Sequence, residues 1–172
     1  MYKEYENLLG AIVKNSSFLK DISVEILRES LKKQTKIEKL TWAAYAQNFL
    51  FAFTDEVGKF YLVKSLYPKK LSILQNSSIG FRSHDKKMES IISIIDSKRK
   101  GINNPFTIKQ SIEILKKFKS QTLYVDYKDG KIFLPSFSST LNNITFNNYI
   151  NFILALDKMV KFDLELFKKE QK

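Results

Sequence analysis

Arg82-Ser83-His84-Asp85 places a nucleophile, a base and an acid side by side, and His84 is the only histidine in the chain. Acyl transfer needs such groups to converge on one atom from separate parts of a fold, and neighbours along a loop do not converge in that way. The segment therefore reads as a loop with a surface histidine, in which Ser83 or Asp85 caps the helix that follows. With one histidine and no cysteine, a transition-metal site would rest on carboxylates alone, and these are scattered singly. There is no GxGxxG, no phosphate-binding glycine loop and no GxSxG. No cofactor, metal or catalytic set is expected, and the chain reads as a binding protein rather than an enzyme.

Asp157 is the other residue whose placement invites chemistry. It falls in the apolar stripe of the last helix, where an unpaired charge is costly. Lys161, one turn further on, is placed to pair with it. An ion pair at a helix seam is the expectation, with a functional carboxylate as the sharper alternative.

Cations carry the stronger signal. The net charge is +11, and its distribution is uneven. Residues 61–131 hold fifteen Lys/Arg against six Asp/Glu, whereas residues 1–60 hold nine against eight and residues 132–172 five against four. A field concentrated in this way favours nucleic acid, an anionic membrane or an acidic protein. The plainer reading is a solvated lysine-rich surface.

The elements expected there are a helix over 85–99, a turn, a helix over 107–119 and a hairpin over 122–135, an order that resembles a winged helix-turn-helix. In that arrangement Lys109, Lys116 and Lys117 lie along the reading helix with Gln110 and Glu113. Lys128 and Lys131 tip the wing, and Lys98, Arg99 and Lys100 meet the phosphate backbone. Lysine contacts phosphate readily but reads bases less well than arginine, so affinity rather than strict sequence choice is expected. Tyr124 and Phe133 beside the wing lysines would suit stacking on a single strand. Against the motif stand the long connection GINNPF and the absence of its preceding helix.

The elements that must position these residues follow from periodicity. Residues 2–14 read as a short helix and residues from about Asp21 to Lys33 as a second. Over 42–75, Phe49, Phe51 and Phe53 alternate with Leu50 and Ala52. The loop TDEVG and then Phe60–Val63 follow, which predicts a first β-hairpin, with a third strand at Leu71–Leu74. In YKDGKI, Asp129-Gly130 predicts a type I′ turn pairing Lys128 with Lys131, Tyr127 with Ile132 and Asp126 with Phe133. The final helix spans 146–169, with Thr145 as its cap. Its main stripe is Phe146, Tyr149, Ile150, Ile153, Leu156, Val160, Leu164 and Phe167. Phe152, Met159 and Leu166 form a second stripe, and with Phe162 they are the candidate partner interface.

At 172 residues and 44% hydrophobic content, the chain is expected to form one α+β domain over 1–172. Antiparallel strands in two hairpins would pack with about five helices, including the long apolar C-terminal one. The first residues, MYKEYENLLGAIVKNSS, are unlike a secretory signal, and no apolar run reaches the ~20 residues of a membrane span. A cytoplasmic location is expected. Functionally, the basic helix-helix-hairpin segment within 83–135 is expected to contact nucleic acid. The C-terminal helix would mediate homo-oligomer formation or docking on a protein partner. The alternatives are an adaptor subunit without nucleic-acid contact and a peripheral binder of anionic membrane.

Overall fold

Serine recurs every seven residues along the first helix, at Ser16, Ser23 and Ser30, and all three are buried. With Tyr5, Leu9 and Ile12 they form one stripe at alternating four- and three-residue spacing, the period of a long helix packed lengthwise on another. The computed structural model describes residues 1–76, 79, 81–83, 86–87, 89–91, 126–128, 131–133 and 143–170, the side chains of 36, 40, 43, 44, 47, 126–128, 131–133, 143–149 and 152 excepted. In it, α1 runs unbroken over Tyr2–Lys32. The two short helices expected here are one, because the polar run Asn15–Ser17 puts Ser16 on the buried face instead of opening a loop. Its hydroxyl donates to the Val13 carbonyl at 2.9 Å, and that of Ser23 to the Leu19 carbonyl at 2.7 Å. The hydroxyls of Ser16 and Ser23 are thereby satisfied within the helix.

Helix α2 covers Lys36–Leu66, so the first hairpin and the strands expected over 42–66 are overturned. Its start is a capping box. The Glu38 amide donates to Thr35 Oγ1 at 3.2 Å, and the Thr35 amide donates back to Glu38 Oε2 at 3.2 Å. Ala46, Leu50, Phe53, Val57 and Phe60 are buried at four- and three-residue steps, and Thr54, Gly58, Tyr61 and Val63 broaden that stripe. A helix apolar over so much of its circumference contains the same residue types as a strand buried on both faces, and short windows do not separate the two. Beyond the cis Tyr67–Pro68 bond, the third strand is replaced by a 3-10 turn at Leu71–Gln75.

The α+β class is corrected accordingly, for the fold is mostly helical. Asp126–Lys128 (β1) and Lys131–Phe133 (β2) pair antiparallel, with Lys128 opposite Lys131, Tyr127 opposite Ile132 and Asp126 opposite Phe133. This ribbon of three residue pairs forms no sheet layer among the described residues. The winged-helix arrangement falls with the class, since the architecture is built on long helices packed by heptad stripes. Of its expected helices, only residues 86–87 and 89–91, which are helical, lie among the described ones. The last helix, α3, covers Asn143–Lys169, so Thr145 lies inside it and is not its cap.

The three long helices form an elongated bundle. Each of α1 and α2 has 31 residues, about 46 Å at 1.5 Å per residue. They run antiparallel. Ser30 Oγ donates to the Lys39 carbonyl at one end (3.1 Å), and the Tyr5 phenol donates to the Lys69 carbonyl at the other (2.7 Å). Against them α3 buries Ile150, Ile153, Leu156, Val160, Leu164 and Phe167. It runs antiparallel to α1 and parallel to α2, since Phe167 meets both Tyr2 (5.6 Å between ring centroids) and Tyr67 (5.2 Å, edge-on). Tyr5 also meets Tyr67 edge-on at 5.3 Å. Such pairs contribute about 0.5–1.5 kcal/mol each beyond area burial, so this aromatic knot pins the three helices at one end.

Candidate functional site

Buried carboxylates mark the seams of the bundle. Asp157, inside the apolar stripe of α3, accepts hydrogen bonds from Ser17 Oγ of α1 at 2.8 Å and from Lys161 Nζ at 2.7 Å. Lys20 Nζ lies 3.3 Å away and also 2.8 Å from Asp21. Burial pushes the Asp157 carboxyl up, but the hydrogen bonds from Lys161 and Ser17 and the Lys20 charge outweigh it, and the group is held below its ordinary value. Burial works against the Lys20 cation, whereas the Asp21 and Asp157 carboxylates raise its pKa above the usual value. Both groups are therefore charged near neutrality. A carboxylate held this low is a poor general base, so the cluster acts as an ionic lock between α1 and α3.

Two further carboxylates join other pairs of elements. Asp163, fully buried, accepts from the Tyr61 phenol of α2 at 3.0 Å. Burial first, and then the Asp163 charge, pushes that phenol far above its ordinary value, so it stays protonated and donating. Asp55 of α2 holds the buried Lys87 ammonium at 2.5 Å, with Lys59 at 3.7 Å. Ser90 Oγ reaches the Gly58 carbonyl at 3.1 Å, which seats the helical residues 86–87 and 89–91 on α2. Ser83 opens that helix as expected, its carbonyl accepting from the Lys87 amide at 3.2 Å and its Oγ 3.5 Å from the Lys86 amide. His84 and Asp85 lie outside the described residues. Among the described residues no group of three His, Cys, Asp or Glu is placed to hold a metal ion.

Of the candidate nucleic-acid contacts, Lys98, Arg99, Lys100, Lys109, Lys116 and Lys117 lie outside the described residues. Lys128 and Lys131 are brought opposite each other on the ribbon. The described cations of the middle segment include Lys69, Lys70, Arg82 and Lys86, all exposed, while Lys87 is turned inward to Asp55. On α3 the main stripe from Ile150 to Phe167 is buried against the chain's own helices, while the side chains of Phe146 and Tyr149 lie outside the described set. Met159 is half-buried and packed on the core, Leu166 is half-buried, and Phe162 is 63% exposed. The side chain of Phe152 lies outside the described set.

One surface escaped the sequence reading. At the α1–α2 turn, Ile37 is 77% and Tyr45 61% exposed, and the Lys33 ammonium sits 4.5 Å from the centre of the half-buried Trp42 ring. Ile37, Thr41 and Tyr45 stand four residues apart, a signal that is visible only once the segment is treated as a helix.

No family model, curated protein or solved structure matches the chain. No helix among the described residues is long and apolar enough to cross a membrane.

Proposed function

We propose that this chain is a non-enzymatic binding protein in which the helical bundle is a scaffold and the basic stretch 61–131 contacts nucleic acid. The observation that carries the reading is the charge partition, fifteen cations against six acids in that stretch with near balance on either side. Support comes also from the bundle, where the half-buried Asp55 holds the inward-turned Lys87 and the buried Asp157 holds Lys20 and Lys161, while Lys69, Lys70 and Arg82 stand exposed. Fluorescence anisotropy with labelled duplex and single-stranded oligonucleotides, from low to high salt, tests the proposal. On duplex DNA the affinity should fall with a log–log slope of about −0.9 per phosphate contact. Replacing Lys98, Arg99 and Lys100 with glutamate should flatten that slope. Binding that ignores salt, or no binding at low salt, refutes the reading.

The exposure of Phe162 favours a second role for α3, in self-association or docking on a protein partner. Sedimentation equilibrium of the wild type and Phe162→Asp tests it. An assembly that dissociates in the variant supports this role, and a wild type that is monomeric and makes no stable protein complex removes it.

A further inference from the structure

The end of the α1–α2 hairpin combines features that the nucleic-acid reading does not use. Residues 28–45 hold five Lys/Arg against two Asp/Glu. Ile37 and Tyr45 project to solvent from one face of α2, with Trp42 beneath the Lys33 ammonium. Lys32, the last residue of α1, is exposed beside Lys33 and paired with Glu29. We propose that this tip is a docking surface for an anionic lipid bilayer, with Ile37 entering the acyl region, Trp42 and Tyr45 at headgroup depth and the lysines on the headgroup phosphates.

Charge complementarity selects an anionic partner, since cations beside a membrane are attracted by acidic lipids within a Debye length. The apolar residues then separate a bilayer from a nucleic acid. Bases stack on aromatic faces, and Ile37, the most exposed large apolar side chain among the described residues, offers none. A bilayer interface accepts an aliphatic chain, an indole, a phenol and lysines together. Lys33 and Trp42 in contact put cation and ring at one depth, as a headgroup belt requires. With no described helix long and apolar enough to cross, the contact lies on the surface and does not span it.

Trp42 is the only tryptophan in the chain, so intrinsic emission reports on the tip directly. The full-length protein is titrated with vesicles of phosphatidylcholine alone and of phosphatidylcholine with phosphatidylserine. The anionic vesicles should shift Trp42 emission to the blue, and acyl-brominated lipid should quench it, while the zwitterionic vesicles change nothing. Ile37→Asp and Tyr45→Asp, both at exposed positions and checked for retained helicity, should each weaken partitioning about tenfold and leave oligonucleotide affinity unchanged. Lys69→Glu should keep the blue shift. Three results overturn the proposal: no vesicle binding, vesicle co-sedimentation without a Trp42 shift, or a Trp42 response to a single-stranded oligonucleotide with none to vesicles. Loss of nucleic-acid binding with the vesicle response intact would remove only the function proposed above.

Discussion

Gly58 is the sharpest test of how the helices meet. It lies inside α2, where glycine in place of alanine ordinarily costs about 0.5–1 kcal/mol through backbone entropy. A Cβ added there would stand 2.6 Å from Lys87 Cβ, 2.6 Å from the Lys87 carbonyl oxygen and 2.8 Å from its carbonyl carbon. Those atoms belong to backbone and to a Cβ, so no rotamer change clears them. The two elements would have to move apart by several tenths of an ångström, stretching the Lys87–Asp55 and Ser90–Gly58 contacts. Overpacking of this kind costs about 1–3 kcal/mol, which exceeds the propensity gain. Gly58→Ala should therefore destabilise by about 1–2 kcal/mol, a fall in Tm of about 2–8 °C for a chain of this size. The matched control is Gly10→Ala in α1, whose added Cβ meets nothing within 4 Å. That variant should gain about 0.5–1 kcal/mol and about 1–4 °C. Thermal and urea unfolding followed by far-ultraviolet dichroism measure both. Should the crossing instead undock locally, tryptic cleavage at Lys86 or Lys87 would quicken with the global Tm unchanged. A rise in Tm for Gly58→Ala comparable with that of Gly10→Ala would refute the close approach of Lys87 to Gly58.

Asp157→Ala should cost about 3 kcal/mol in urea unfolding, at the low end for a broken buried pair because Lys20 keeps Asp21 and Lys161 is half-exposed. The folded pKa of Asp157 lies below its unfolded value, so its contribution is present above about pH 4 and is lost as pH falls through the folded pKa. Asp157→Asn should flatten the acid limb of stability against pH, and an unchanged limb contradicts the assignment. Tyr61→Phe removes a donor to the buried Asp163 and should cost about 1–2 kcal/mol. Because the Tyr61 pKa is raised in the fold, stability should decline as pH climbs above about 10. A Tyr61→Phe variant with the same alkaline decline would count against the buried phenol.

What could be read from the chain depended on how many neighbours each segment has. The final helix was legible because its apolar stripe and its opposite polar edge differ, and the pairing of Asp157 with Lys161 follows from spacing alone. Helix α2 was not, because Ala46 to Phe60 is apolar on the sides facing both α1 and α3. Gly58, in TDEVG, suggested a turn when its lack of a side chain in fact admits another helix. The Thr35–Glu38 capping box marks the start of α2 and went unread, because the alternating phenylalanines beyond it pointed to strands. In α1 the serines looked like a break, since no composition rule distinguishes a loop serine from one that lets two helices approach. The missed tip has the same origin: Ile37 and Tyr45 share a face only at helical period.

The polar groups in the bundle also answer a question that apolar stripes leave open. Alternating four- and three-residue spacing repeats every seven residues, so helices packed by it alone slide by a heptad with similar burial. Helix α3 is joined to the α1–α2 hairpin only through a long intervening stretch, and its register must come from contacts. Moving α3 by seven residues along α1 would bring Asp157 from Ser17 and Lys20 to Gly10 and Val13 in one direction, or to Val24 and Leu27 in the other. Neither pair offers a donor, and Asp163 would leave Tyr61 at the same time. Lys161 travels with Asp157 in every register, so what a slide forfeits is the Ser17 and Lys20 contacts of Asp157 together with the Tyr61 hydrogen bond to Asp163, and a buried carboxylate that loses donors is costly. Asp157 and Asp163 therefore act as positional keys for α3.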